Sequence, residues 1–103
     1  MKVKVRISGQ VSDYLAARAP DSRKLLTSAL KSLGDWDGRE HPPRIKHLED
    51  DLTGYSRLRV GAHRLVFTES AVERVRVIDC IYAGPRSSVY EAFAELILDE
   101  LSS

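Results

Sequence analysis

Apolar and polar residues alternate along two short runs near the middle of the chain, and a Gly-Ala pair separates these runs. Residues 55–67 read YSRLRVGAHRLVF, with the pair at Gly61 and Ala62. Alternation with a period of two predicts a β-strand on each side of the pair. A two-residue loop with Gly in its first position is typical of a type II′ turn. The segment is therefore predicted to form a tight β-hairpin, around which the rest of the chain is organised.

A loop of two residues fixes which residues of the hairpin lie opposite each other. Val60 then pairs with His63, and Arg59 pairs with Arg64. Successive side chains point to opposite faces of a strand. The largely apolar face carries Leu58, Val60, His63, Leu65 and Phe67. The other face carries Arg57, Arg59, Arg64 and Val66. Like charges directly opposite each other destabilise a sheet, so three guanidinium groups on one face indicate either an anion site or a solvated surface.

The first third of the chain predicts a strand and two helices. Residues 2–8 alternate and predict a half-buried strand. Ser12 is predicted to be the N-cap of a short helix. A second helix is predicted to begin at Asp21 or Ser22 and to end at Gly34, because leucine and alanine recur there at helical spacing.

The last third of the chain predicts another strand and a terminal helix. Residues 69–73 are predicted to form a turn. Residues 74–82 alternate again, with apolar side chains on both faces, and predict a central strand. Ser88 followed by Glu91 is a capping box, so a helix is predicted from Val89.

The order of these elements predicts a single α+β domain that spans residues 1–103. The sheet is expected to be small and mostly antiparallel, with the N-terminal helix hairpin packed on one face and a C-terminal helix after the last strand. Residues 44–52 add a short apolar edge that is expected to tuck under the sheet. A chain of 103 residues is long enough for one hydrophobic core.

The composition is that of an ordinary globular protein, with 43% hydrophobic and 30% charged residues. No apolar run reaches the length of a membrane span, and the first residues do not form a signal peptide. A single cysteine, Cys80, excludes an internal disulfide and favours a cytoplasmic location. His41, His47 and His63 lack partners at ligand spacing, so neither a metal site nor a cofactor is predicted. Trp36 is expected to cap the core rather than to stack on a base.

Charge is distributed unevenly along the chain, although the formal net charge is only +1. Residues 1–88 contain all 16 lysines and arginines and 11 of the 15 acidic residues. Residues 89–103 contain four acidic residues and no basic one. A basic body followed by an acidic terminal segment favours a polyanionic partner that binds on one face.

The residues and their order resemble the RelE/ParE superfamily of bacterial type II toxins. The match is carried by PPRIKHLEDDLTGYSRLRVGAHRLVF at residues 42–67 and by YAGPRSSVY at residues 82–90. Members of the RelE branch combine a leucine, a glycine and the pattern RLRxGxxR with a later arginine before Val-Tyr. In this chain those positions are Leu52, Gly54, Arg57, Arg59, Gly61, Arg64, Arg86, Val89 and Tyr90.

The resemblance implies an endoribonuclease that cuts mRNA in the ribosomal A site and inhibits translation. In such toxins the ribose 2′-OH attacks the adjacent phosphorus without a metal or cofactor. Carried over by position, Arg57 and Arg59 bind the RNA and Arg64 contacts the scissile phosphate. Arg86 assists the leaving group, and Tyr90 orients the substrate.

The resemblance also implies a cognate antitoxin that neutralises the toxin in a hetero-oligomer. An antitoxin of this kind is expected to bind as a helix or as an extended strand. The apolar stripe of the terminal helix and the edge of the N-terminal strand are the two expected docking places.

Departures from the RelE pattern leave two other functions open. Arg57 and Arg59 replace lysines of the best-known members, and Arg59 is a poor candidate base because arginine stays protonated. The chain is therefore either a nuclease, a ParE-like inhibitor of DNA gyrase that cuts no RNA, or a decayed module that only binds the antitoxin. His63 is predicted to pack rather than to catalyse, and Asp79 is a candidate ion-pair partner for one of the arginines of the hairpin.

Overall fold

The computed structural model of the chain describes residues 2–36, 45–48 and 53–85. In these residues the elements are β1 (Lys2–Ile7), α1 (Gly9–Ala16), α2 (Pro20–Asp35), β2 (Ile45–His47), β3 (Ser56–Val60), β4 (His63–Val72) and β5 (Val75–Pro85). The terminal helix predicted from Val89 lies outside the described residues. Neither of the two described helices has the length and apolarity needed to cross a membrane.

The strands of the described structure form one sheet in the order β1-β5-β4-β3-β2. β1 runs parallel to β5, with Lys2 opposite Val75 and Ile7 opposite Cys80. The other neighbouring strands are antiparallel. The predicted α+β class is confirmed. The sheet is mixed, because β1 and β5 are parallel while the other pairs are antiparallel. A parallel pair needs a long crossover connection, and the chain between β1 and β5 includes α1 and α2.

Both helices cover the same face of the sheet and bury the apolar core there. Leu26, Leu30 and Leu33 recur at helical spacing on α2 and are buried, and Val11 of α1 joins them. The sheet contributes Leu58, Leu65, Phe67, Ile78 and Cys80. Burial raises the pKa of the Cys80 thiol to about 12, so this side chain is a neutral core residue.

The first helix begins one turn before the predicted start. Ser8, not Ser12, is the N-cap, and its hydroxyl accepts a hydrogen bond from the Val11 N–H at 3.2 Å. Ser8 is also held by β5, because its N–H donates to the carbonyl of Cys80 at 2.9 Å and its hydroxyl to the carbonyl of Ile81 at 3.0 Å. These contacts with the central strand fix the start of α1.

Three other boundaries differ from the prediction. The second helix begins at Pro20, which suits a first turn because its missing N–H would have no partner there. The same helix continues through Gly34 and ends one residue later. The predicted turn at residues 69–73 is wrong: β4 extends to Val72, and the turn consists of Glu73 and Arg74, with φ angles of 49° and 69°.

A β-bulge interrupts the antiparallel pairing of β4 with β5. Phe67 lies opposite Cys80 and Val66 lies opposite Tyr82, so Ile81 is an extra residue without an opposite partner. The alternation predicted for residues 74–82 would place Cys80 and Tyr82 on one face, and the bulge instead puts them on opposite faces. Beyond the bulge Ala83 joins the core, whereas Ile81 and Tyr82 pack against Val66 on the opposite face.

The cap of the first helix gives a direct test of this fold. Ser8→Ala should lower the free energy of unfolding by about 1 kcal/mol, because the Val11 N–H loses its acceptor. Ser12→Ala should have little effect, because Ser12 is an exposed residue inside α1 and alanine favours helix. Urea denaturation followed by circular dichroism measures both changes. A larger loss in Ser12→Ala than in Ser8→Ala would contradict the assigned cap.

Candidate anion-binding site

The hairpin at the centre of the sheet has the predicted register. Val60 lies opposite His63, Arg59 opposite Arg64, and Arg57 opposite Val66. The turn contains Gly61, whose φ of 58° is the left-handed value that a type II′ turn requires in its first position. The register predicted from alternation and loop length is therefore confirmed.

The two faces of the hairpin differ in how deeply their side chains are buried. Leu58, Leu65 and Phe67 are fully buried against the helices. The side chains that alternate with these three along the strands therefore point away from the helices. We call the surface that they form the open face of the sheet. Arg57, Arg59 and Arg64 lie together on this face, as predicted.

The neighbouring strand adds a fourth positive charge. Lys46 of β2 lies directly opposite Arg57, and Ile45 before it lies opposite Leu58 in the core. Lys46 therefore points to the open face. We call Lys46, Arg57, Arg59 and Arg64 the basic patch. Sequence reasoning missed Lys46 because β2 has only three residues, too few to show alternation, although its buried isoleucine followed by lysine is consistent with a strand.

Burial within the basic patch is uneven. Arg59 is exposed, whereas Arg57 and Arg64 are half-buried. The Nε and Nη1 atoms of Arg57 are inaccessible to solvent and have no hydrogen-bond partner among the described residues. A buried donor without an acceptor costs about 1–3 kcal/mol, and more if it is charged. The planar fork of a guanidinium suits a phosphate, and Arg59 presents such a group on the exposed part of the patch.

An apolar and aromatic cluster borders the basic patch on the open face. Val66 lies between Arg57 and Tyr82 in one row across the sheet. Leu48, Tyr55 and Ile81 pack around it. Cationic and aromatic side chains on one surface suit a single-stranded nucleic acid, whose phosphates need charge and whose bases stack on rings. The bulge turns Tyr82 to this face, and sequence reasoning did not predict it either.

The last strand ends beside the arginines. Gly84 lies opposite Arg64, and Pro85 lies opposite His63. The pairing of β5 with β4 therefore places the end of the last strand next to the hairpin. Arg86 follows Pro85 directly, but Arg86 and Tyr90 both lie outside the described residues.

Asp79 does not pair with an arginine of the hairpin, so that prediction is wrong. It lies opposite Arg6 of the parallel strand β1 and receives two hydrogen bonds from it, at 2.6 and 2.8 Å. These bonds hold the pKa of the Asp79 carboxyl below its usual value. This carboxylate therefore neutralises a cation of β1 and leaves the basic patch positive.

His63 lies on the helix face, as predicted, and is held by a helix residue. Its Nδ1 lies 2.7 Å from the Tyr14 hydroxyl, and the two rings meet edge to face at 5.7 Å. The guanidinium of Arg18 lies 4.2 Å from the centre of the Tyr14 ring. Burial raises the pKa of the Tyr14 hydroxyl, which favours its neutral, donating form. His63 therefore links α1 to the start of β4 on the face opposite the basic patch.

Trp36 caps the core, as expected from the sequence. Its ring meets Phe67 edge to face at 6.1 Å, and the guanidinium of Arg76 lies 4.6 Å from the ring centre. Arg76 also pairs with Glu69 and donates to the carbonyl of Trp36. No group of three or more potential metal ligands occurs among the described residues.

Comparisons with known proteins identify the fold. No family model and no curated protein matches the sequence. Among solved structures, the chain is similar to archaeal RelE in complex with RelB from Pyrococcus horikoshii, with 21% identity and a TM-score of 0.63 over 84% of this chain and 98% of that one. It is also similar to the RelBE2 toxin–antitoxin complex from Mycobacterium tuberculosis, with 22% identity and a TM-score of 0.62 over 84% and 94% of the two chains.

A third similar structure is the YoeB dimer from Staphylococcus aureus, with 26% identity and a TM-score of 0.53 over 80% of this chain and 98% of that one. The chain therefore has the fold of the RelE/ParE superfamily of type II toxins. The resemblance inferred from the residue pattern is confirmed at this level.

The charge repulsion on the open face can be measured as stability. Arg59→Thr should raise the free energy of unfolding at low salt by about 0.2–1 kcal/mol, because it removes one of two like charges that lie directly opposite each other. Added salt should reduce the gain, because it screens the repulsion. Urea denaturation at low and high salt measures both effects. Arg59→Lys is the control and should show no such gain, since it keeps the charge; an equal gain in both variants would contradict the assignment.

Proposed function

We propose that the chain is the toxin of a type II toxin–antitoxin system and that it inhibits translation by cutting mRNA on the ribosome. The observation that carries the proposal is the basic patch on the open face of the sheet, where four cations lie on three adjacent strands. Solved structures with this fold include RelE, YoeB and YafQ toxins.

The proposed chemistry is transfer of the phosphodiester to the neighbouring ribose oxygen. The 2′-oxygen attacks the adjacent phosphorus and loses its proton to a base, while the bond from phosphorus to the 5′-oxygen breaks. The 5′-oxygen takes up a proton, and the other fragment keeps a 2′,3′-cyclic phosphate. Negative charge accumulates on the phosphoryl oxygens during this step, so cations already in place lower the barrier.

The described residues suit charge stabilisation better than proton transfer. Arginine keeps its proton at any pH at which the protein is folded. Arg64 is proposed to contact the scissile phosphate, with Arg57 and Arg59 of the neighbouring strand binding the RNA beside it. Arg86 and Tyr90 are proposed to assist the leaving group and to orient the substrate.

A cognate antitoxin is the proposed protein partner. The similar structures include complexes, RelE with RelB in one and the toxin–antitoxin complex RelBE2 in another. β1 occupies one edge of the sheet formed by the described strands, and it carries Lys2, Lys4 and Arg6. An extended segment with acidic side chains could add to this edge as a further strand.

Cleavage during translation tests the proposed function. Induced expression of the wild type should produce new 5′ ends within the reading frame of a translated reporter mRNA, detected by primer extension. Arg64→Ala should remove most of these cuts, because loss of one stabilising donor at a phosphoryl transition state typically costs about a hundredfold or more in rate. A reporter that lacks a start codon should not be cut.

Two control variants make this result specific. Lys31→Ala removes an exposed charge from α2, on the helix side of the sheet, and should leave the cuts unchanged. Arg64→Lys keeps the charge and should retain part of the activity. Growth arrest without cuts would favour gyrase as the target, and cuts that persist in Arg64→Ala would remove Arg64 from the site. An absence of both arrest and cuts would favour a module that only binds its antitoxin.

A further inference from the structure

Lys46 lies on a short strand whose backbone is fixed on both sides of this residue. Ile45 is 5% exposed and packs in the core. The Nδ1 of His47 lies 2.7 Å from the Ser56 hydroxyl, and the N–H of Leu48 donates to the carbonyl of Tyr55 at 2.9 Å. Lys46 therefore has a fixed backbone position, while its own side chain is exposed.

The described neighbours of Lys46 on the open face are mostly cations. It lies directly opposite Arg57, and the next pair along the hairpin, Arg59 and Arg64, also consists of two cations. Opposite like charges weaken a sheet. Within the described part of the chain, Lys46, Arg57 and Arg59 take part in no ion pair. The repulsion between them is therefore not relieved by a described carboxylate.

The register gives the basic patch a definite shape. Neighbouring strands are about 4.8 Å apart, and residues two apart on a strand are separated by about 7 Å. Arg64 and Arg59 form one row on β4 and β3, and Arg57 and Lys46 form the next row on β3 and β2. The charges therefore follow a diagonal band across three strands, which is longer than a single phosphate group.

We propose that Lys46 binds a backbone phosphate of the RNA, adjacent to the phosphate held by the arginines, and so forms a second phosphate subsite at the β2 end of the basic patch. The inference rests on the proposed function, because it takes RNA to be the anion. A single strand carries a charge at every nucleotide, so an RNA lying along the diagonal band presents further phosphates beyond the first. An ammonium group suits this place because it binds a phosphate as a point charge and does not require the fixed geometry of a guanidinium.

The salt dependence of RNA binding counts the phosphates that the protein contacts. For single strands, each neutralised phosphate contributes about 0.7 to the slope of log affinity against log salt concentration. The probe is a short single-stranded RNA with 2′-O-methyl groups at every ribose, which cannot undergo attack by its own 2′-oxygen. Binding to the full chain is measured by fluorescence anisotropy at several salt concentrations.

Lys46→Ala should lower the slope by about 0.7 and weaken binding severalfold at low salt. Lys46→Arg should keep the wild-type slope, because it keeps the charge. Lys31→Ala on α2 is the matched control and should change neither quantity. Thermal melting of each variant shows that it is folded, and Lys46→Ala should not be less stable than the wild type, because it removes a repulsion.

Other outcomes distinguish a failure of this inference from a failure of the proposed function. If Arg57→Ala lowers the slope and Lys46→Ala does not, the RNA site is at the arginines and the subsite at Lys46 is wrong. If Arg57→Ala, Arg64→Ala and Lys46→Ala all keep the wild-type slope, the basic patch does not bind RNA, and the proposed function fails together with the subsite.

Discussion

Burial of one face of the central hairpin against α1 and α2 is the constraint on which the rest of the structure depends. Leu58, Leu65 and Phe67 are fully enclosed, and each buried side chain of this size contributes about 1.5–3 kcal/mol. A slip of one residue in register would expose all three and bury arginines in their place. Opposite like charges cost only about 0.2–1 kcal/mol per pair. The core therefore decides the register, and the arginines are gathered on the open face as a consequence.

The open face consequently carries like charges that are held together by the core beneath them. Four cations lie on three adjacent strands, and two donors of Arg57 are buried without an acceptor in the described structure. Opposite like charges weaken a sheet, and the same groups would all attract a phosphate. A site of this kind needs no motion to become cationic, since the sheet holds the charges in place before the ligand arrives.

The parts of the fold that follow from local rules were predictable from the sequence. The period of two and the Gly61-Ala62 pair give the hairpin, its register and the face on which Arg57, Arg59 and Arg64 lie. The start of α1 was not predictable in this way, because Ser8 and Ser12 are both good caps and only the contacts of Ser8 with β5 distinguish them. The bulge at Ile81 leaves no mark in the alternation of β5, and the strand with Lys46 is too short to show alternation at all.

The position of β5 between β1 and β4 links the stability of the sheet to the charge of the site. Asp79 is the one carboxylate that the described strands place on the open face, and on β5 it lies between Arg6 of β1 and Thr68 of β4. Because β1 runs parallel to β5 in a register that sets Arg6 opposite Asp79, the carboxylate forms an ion pair with Arg6. The same strand then ends with Gly84 opposite Arg64. One central strand therefore directs its negative charge to β1, away from the basic patch, and itself ends beside the hairpin.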